Sequence, residues 1–118
     1  MINIESLIDF LILEFYLLLW DFPEQTLKFW NSNEQPWTWM FNDGDTSMHE
    51  YWKSKMKEIL LSENDEISDL FFTQMIQAIF KNESFRQAFH TQFIHHLNHT
   101  LSPQNVIHKM AVLKVAYI

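Results

Sequence analysis

Apolar side chains recur along the first twenty residues at Leu7, Ile8, Leu11, Ile12, Phe15 and Leu18 or Leu19, while Glu5, Asp9 and Glu14 fall off the densest stripe. Apolar positions three or four apart place one face of a helix in a core, so a helix is predicted from about Ile4 to Trp20. It is expected to stop near Asp21-Phe22-Pro23, because the proline ring removes a donor and pushes the preceding residue out of the α region. The pattern then changes character. The stretches TLKFW (Thr26 to Trp30) and WTWMF (Trp37 to Phe41) are aromatic and separated by the polar NSNEQP, which predicts a hairpin of two short strands. Ser47-Met48-His49-Glu50 carries the capping-box pattern and predicts a helix from about Met48 to Leu61. Three more helices are expected at about Asp65 to Phe80, Glu83 to Asn98 and Pro103 to Tyr117. Asn82 and Ser102 are their plausible caps, and Pro103 stands at a first helical position. Phe85, Phe89, Phe93 and Leu97 repeat every four residues and read as core packing.

The predicted class is therefore mainly α with a small β-hairpin (α+β), about five helices in a single domain spanning 1–118. Composition agrees: eleven Phe and five Trp argue against disorder, and one Gly with three Pro leave little material for a turn-rich sandwich or barrel. The formal charge of −7 gives no general footprint for nucleic acid or anionic lipid. Without cysteine there is no disulfide, thiolate metal site or thiol nucleophile. The N-terminal run suits neither a signal peptide nor a membrane span. Its first positive side chain is Lys28, acids interrupt it, and its longest unbroken apolar run, Phe15 to Trp20, is short.

Chemistry concentrates at the two ends of the hairpin. Asp21 precedes the first strand, while Asp43 and Asp45 follow the second and flank Gly44, the only glycine. A hairpin brings distant acids to one edge, as phosphoryl transfer requires: one orients a hydroxyl and others hold the magnesium that bridges the phosphates. The plainer reading stays open beside it. Asp43 and Asp45 suit a helix N-terminus and Gly44 suits a positive φ. An EF-hand is excluded, since counting from Asp43 places Met48 where the glycine belongs and Ser54 where the bidentate Glu belongs. His95, His96 and His99 share the end of one helix but offer no HExxH motif and no third ligand at standard spacing, so they read as helix-end residues.

The stretch SLIDFLILEFYLLLWDFPEQTLKFWNSNEQPWTWMFNDGD, with KNESFRQAFHTQFIHHLNHTLSPQNVIHKMAVL downstream, resembles the spore coat protein H (CotH) kinase family. The shared features are Asp-x-Pro at Asp21, the aromatic hairpin, Asp-x-Asp at Asp43 and Asp45, Phe85-Arg86, Phe89, Phe93, Leu97-Asn98, Ser102-Pro103 and Val106. The resemblance implies a kinase C-lobe-like domain using ATP with Mg2+ or Mn2+ to phosphorylate protein hydroxyls, in a family often secreted or spore-associated. It assigns Asp21 the catalytic position, in a substrate-orienting or metal-proximal role, and Asp43 and Asp45 the metal. Gln25 and Thr26 stand where the family carries Asn-Asn, leaving a longer amide and a hydroxyl as cofactor-binding oxygens. Thr46 stands where the family has an aromatic. No counterpart of a nucleotide-covering N-lobe is recognised, and one glycine cannot make a Gly-rich phosphate loop. The expectation is a CotH-like fragment that does not turn over alone, with a protein substrate or a complementing N-lobe chain as partner. The alternative is a non-catalytic helical protein-interaction module. An exposed apolar patch on the hairpin side would favour the latter.

Overall fold

The structure is a computed structural model that describes residues 1–18, 22, 28–41, 47–48, 54–61 and 65–117. Helix α1 spans Ile4–Leu17 and buries Leu7, Ile8, Phe10, Leu11, Ile12 and Phe15. Asn3 caps it by accepting from the Ser6 amide, and Leu18 closes it in the left-handed conformation at φ 53, ψ 50. The helix thus ends at Leu17, short of the expected Trp20. Glu14, placed by the sequence reading off the apolar stripe, is fully buried. It stands seven residues after Leu7 and three after Leu11, which is the core face of a 3.6-residue helix.

Strands β1 (Lys28–Trp30) and β2 (Thr38–Met40) form the expected antiparallel hairpin. Lys28 pairs with Met40, Phe29 with Trp39 and Trp30 with Thr38. The chain start adds a short parallel bridge: the Asn3 amide donates to the Trp37 carbonyl and the Trp37 amide to the Met1 carbonyl, each at 2.9 Å. Ser6 ties α1 to β2 by accepting from the Trp39 amide at 2.9 Å. Alternation along the strands sends Phe29, Trp37 and Trp39 to one face. Trp39 there meets Phe10, Phe29 and Phe72, with ring centroids 5.8, 5.2 and 5.2 Å away.

Helix α2 covers Lys55–Leu60 and is capped by Ser54, whose backbone is extended. The predicted start at Met48 is corrected, because Met48 has φ 61 and cannot continue a right-handed helix. The predicted helix from Asp65 to Phe80 is two helices, α3 (Asp65–Ser68) and α4 (Phe71–Phe80), broken at Leu70 with ψ 137. Five positions apart on one helix, Ile67 and Phe72 would diverge by about 140°. The break lets both enter the core beside Ile76. The Gln77 side chain donates to the Ile59 carbonyl at 2.6 Å and fastens α4 to α2.

Helices α5 (Glu83–Asn98) and α6 (Pro103–Tyr117) have the predicted limits. Asn82 caps α5 through the Phe85 amide, and Ser102 accepts from the Asn105 amide in the first turn of α6. The aromatic stripe of α5 is core only in its first half: Phe85 and Phe89 are buried, Phe93 is partly buried, and Leu97 is exposed. Among the described residues Arg86 pairs with no acid; its guanidinium donates to the Phe80 and Lys81 carbonyls at 2.8 Å, closing the C-terminal end of α4. No helix among the described residues is long and apolar enough to cross a membrane.

Candidate functional site

Asp21, Gln25, Thr26, Asp43 and Asp45 lie outside the described residues, as do Gly44 and Thr46. The structure does describe the anchors on either side of them. Phe22, next to Asp21, is buried at the centre of the core. Its ring meets Phe10, Phe15 and Phe72 edge-on at 6.0, 6.1 and 5.9 Å. Burying such a ring contributes roughly 2–3 kcal/mol and pins the chain at that point.

The second anchor is a backbone hydrogen bond from the Met48 amide to the Leu17 carbonyl, 2.7 Å long. It joins the C-terminal end of α1, four residues before Asp21, to the chain three residues after Asp45. The third is the outermost hairpin pair, Lys28 with Met40, which brings the strand entered from Asp21 beside the strand that leaves toward Asp43. Both segments that bear the predicted acids are therefore held at both ends, each end against the other segment or the shared core.

Leu18 and Met48 are the non-glycine residues with positive φ among the described residues, at 53° and 61°. Each costs of the order of 1 kcal/mol over a right-handed conformation. Both flank this junction, and such strain persists only where surrounding contacts hold it.

Glu14 lies one turn before the junction. Both its carboxylate oxygens are buried and accept no hydrogen bond among the described residues. Burial alone pushes its carboxyl up from 4.5 to about 8, so the side chain is neutral at physiological pH. No motif pointed to Glu14. Its spacing from Leu7 and Leu11 is the signal that could have found it.

The histidines at the end of α5 are engaged locally. His96 Nε2 lies 3.2 Å from Asp9 Oδ1 and 3.3 Å from Gln92, while Nδ1 lies 3.2 Å from Thr100 Oγ1. The His95 and His99 rings stack at 4.5 Å. Among the described residues no group of three or more His, Asp or Glu is arranged to hold a metal ion.

An apolar cleft of about 340 Å³ opens between the hairpin face and α4, lined by Phe29, Trp37, Trp39, Phe71, Phe72 and Met75, with Ile2 at its edge. Phe71 is 81% exposed and Phe29 52%.

Together these elements define an α+β domain in which a helix-hairpin unit, tied at Leu17 and Met48, packs against further helices. The family model described as CotH kinase protein matches residues 1–116, nearly the whole chain. The chain belongs to the CotH kinase family and is kinase-like at that level. No curated protein and no solved structure matches it.

Proposed function

We propose that this domain is the C-lobe-like, acid-bearing part of a CotH-type protein kinase, serving phosphoryl transfer from ATP to protein hydroxyls. In this reading Asp21 orients the acceptor hydroxyl and takes its proton, the role a carboxylate plays in kinase catalytic loops. Asp43 and Asp45 would hold magnesium or manganese, hard cations that take oxygen ligands. Gln25 and Thr26 would add an amide and a hydroxyl oxygen toward the cofactor. When bound, the cation would supply positive charge against the phosphates.

The observation that carries the proposal is the Leu17–Met48 hydrogen bond, which closes the chain from the approach to Asp21 onto the exit from Asp45. Family membership supports the reaction class. With a single glycine in its 118 residues, the chain holds no Gly-rich phosphate loop. Turnover by this chain alone is therefore expected to be negligible, since positioning and electrostatic stabilisation supply most of the acceleration in phosphoryl transfer.

Isothermal titration with Mg2+ and ATP tests the reading. Binding that weakens at least about tenfold in Asp43→Asn, and more in the Asp43→Asn/Asp45→Asn double variant, supports it. Binding unaltered by these changes, or absent from the parent chain, refutes it.

A second reading, a non-catalytic protein-interaction module, is favoured by the apolar cleft on the hairpin side. Monomers rarely leave clustered aromatic surface uncovered. A module of this kind would bind a protein at the cleft and be indifferent to divalent cations.

A further inference from the structure

The sign of the charge changes sharply along the chain. All fifteen Asp and Glu lie at or before Glu83, whereas residues 84–118 contain Arg86, Lys109, Lys114, five of the six histidines and no acid. The basic part ends in α6, and no residue of α6 is buried. Its first turn is fixed rather than frayed: the Leu101 amide donates to the His96 carbonyl at 2.7 Å, the Asn105 side chain to the Thr100 carbonyl at 2.8 Å, and Ser102 caps the helix. The helix therefore leaves the body in a defined direction. A radius of gyration of 15.4 Å, against about 13.5 Å for a compact chain of this length, fits such a projection.

Val106, Met110, Leu113 and Tyr117 are spaced four, three and four apart on α6, a spacing that can serve as a packing seam, on a helix that also exposes Ile107, Val112 and Val115. Met110, Leu113 and Tyr117 are 64%, 57% and 87% exposed. The body carries the complement. Its apolar cleft between the hairpin and α4 is unfilled by any described side chain of α6. The exposed acids Glu34 and Asp69 stand within three positions, along the chain, of the cleft-lining Trp37 and Phe71.

We propose that the occupant of this cleft is α6 of a second copy of the chain. The seam of α6 lies in the aromatic cleft of the other copy, Lys109 and Lys114 face its acidic rim, and the exchange is reciprocal, closing a two-fold dimer. Reciprocity follows from economy: a one-way contact would leave one cleft and one α6 open and would propagate into filaments. Anionic lipid and nucleic acid are disfavoured as occupants, since the acid-rich body beside α6 would be repelled by either. This inference deepens the interaction-module reading by naming its partner and is independent of phosphoryl transfer.

Sedimentation velocity of the whole chain from about 1 to about 100 µM tests it. The parent should dimerise, with an affinity that falls as salt rises. Met110→Asp/Leu113→Asp on α6 and Phe71→Asp in the cleft should each leave a monomer with parental helical circular dichroism. Lys109→Glu/Lys114→Glu should weaken association about tenfold or more without unfolding the chain. Mixing the α6 variant with the cleft variant is decisive, because one intact α6 and one intact cleft remain and a heterodimer should reappear. A monomeric parent, a cleft variant that still dimerises, or a mixture that stays monomeric would overturn the proposal. Capture of a different protein at the cleft without self-association would also overturn it while leaving the interaction-module reading standing.

Discussion

Replacing Glu14 with glutamine should remove most of a pH dependence built into the fold. The Glu14 carboxyl is fully buried and accepts no hydrogen bond among the described residues, and burial raises it from 4.5 to about 8. The folded protein therefore keeps a proton that the unfolded chain releases once pH passes 4.5. Folding is thus favoured fully below the unfolded value and loses stability progressively as pH rises toward 8, beyond which the loss is complete. At 1.36 kcal/mol per unit, the total loss is about 5 kcal/mol, of which about 3 kcal/mol has accrued by pH 7. Against a typical domain stability of roughly 5–15 kcal/mol, that is a large share. Equilibrium urea denaturation from about pH 5 to about pH 9 reads it directly as a shift in midpoint. The parent midpoint should fall across this window relative to that of Glu14→Gln, so the variant gains on the parent steadily toward the alkaline end. Every other ionisable group is common to both proteins and cancels in the difference between the two curves. Parallel curves for the two proteins would refute the reasoning.

Other perturbations follow from single contacts. Phe22→Ala empties the place where three rings converge and should cost about 3–5 kcal/mol in chemical denaturation. Ser6→Ala removes the acceptor of the Trp39 amide and should cost about 1–2 kcal/mol, with hydrogen exchange rising first in β2. Asn82→Ala uncaps α5 and should cost about 1 kcal/mol in thermal or urea unfolding. Asp9→Asn should change stability by less than about 1 kcal/mol, because its contact with His96 is solvent-exposed on the Asp9 side.

Much of the fold was legible because local signals agreed with tertiary demand. Asn82 and Pro103 fixed the starts of α5 and α6, and the polar NSNEQP loop between two aromatic runs fixed the hairpin. The misreadings share one cause: a pattern that was locally sound yielded to packing. Ser47-Met48-His49-Glu50 reads as a capping box, but Met48 gives its amide to Leu17 across the junction and adopts a positive φ instead. Asp65 to Phe80 has a continuous helical period, yet burying Ile67 together with Phe72 requires the turn at Leu70. Glu14 looked like a surface acid by residue type and was core by position. For the candidate site, Asp21, Asp43 and Asp45 came from their places around the hairpin and from family resemblance. The structure adds what neither could supply: Phe22, Leu17 and Met48 anchor the segments on which those acids lie. Nothing in the sequence marked the Leu17–Met48 bond, since a contact between backbone groups 31 positions apart leaves no residue signature.

The proposal rests most heavily on Asp43 and Asp45 holding one divalent cation, with Asp21 beside it for the acceptor hydroxyl, where α1 meets the hairpin. Paramagnetic broadening by Mn2+ of the backbone amide resonances tests it most directly. The amides of Leu17, Phe22 and Met48 should broaden first and together, and Asp43→Asn/Asp45→Asn should abolish the effect while leaving the rest of the spectrum in place. Broadening that starts at other surface acids, such as Glu5 or Asp69, or that survives the double substitution, would contradict the account.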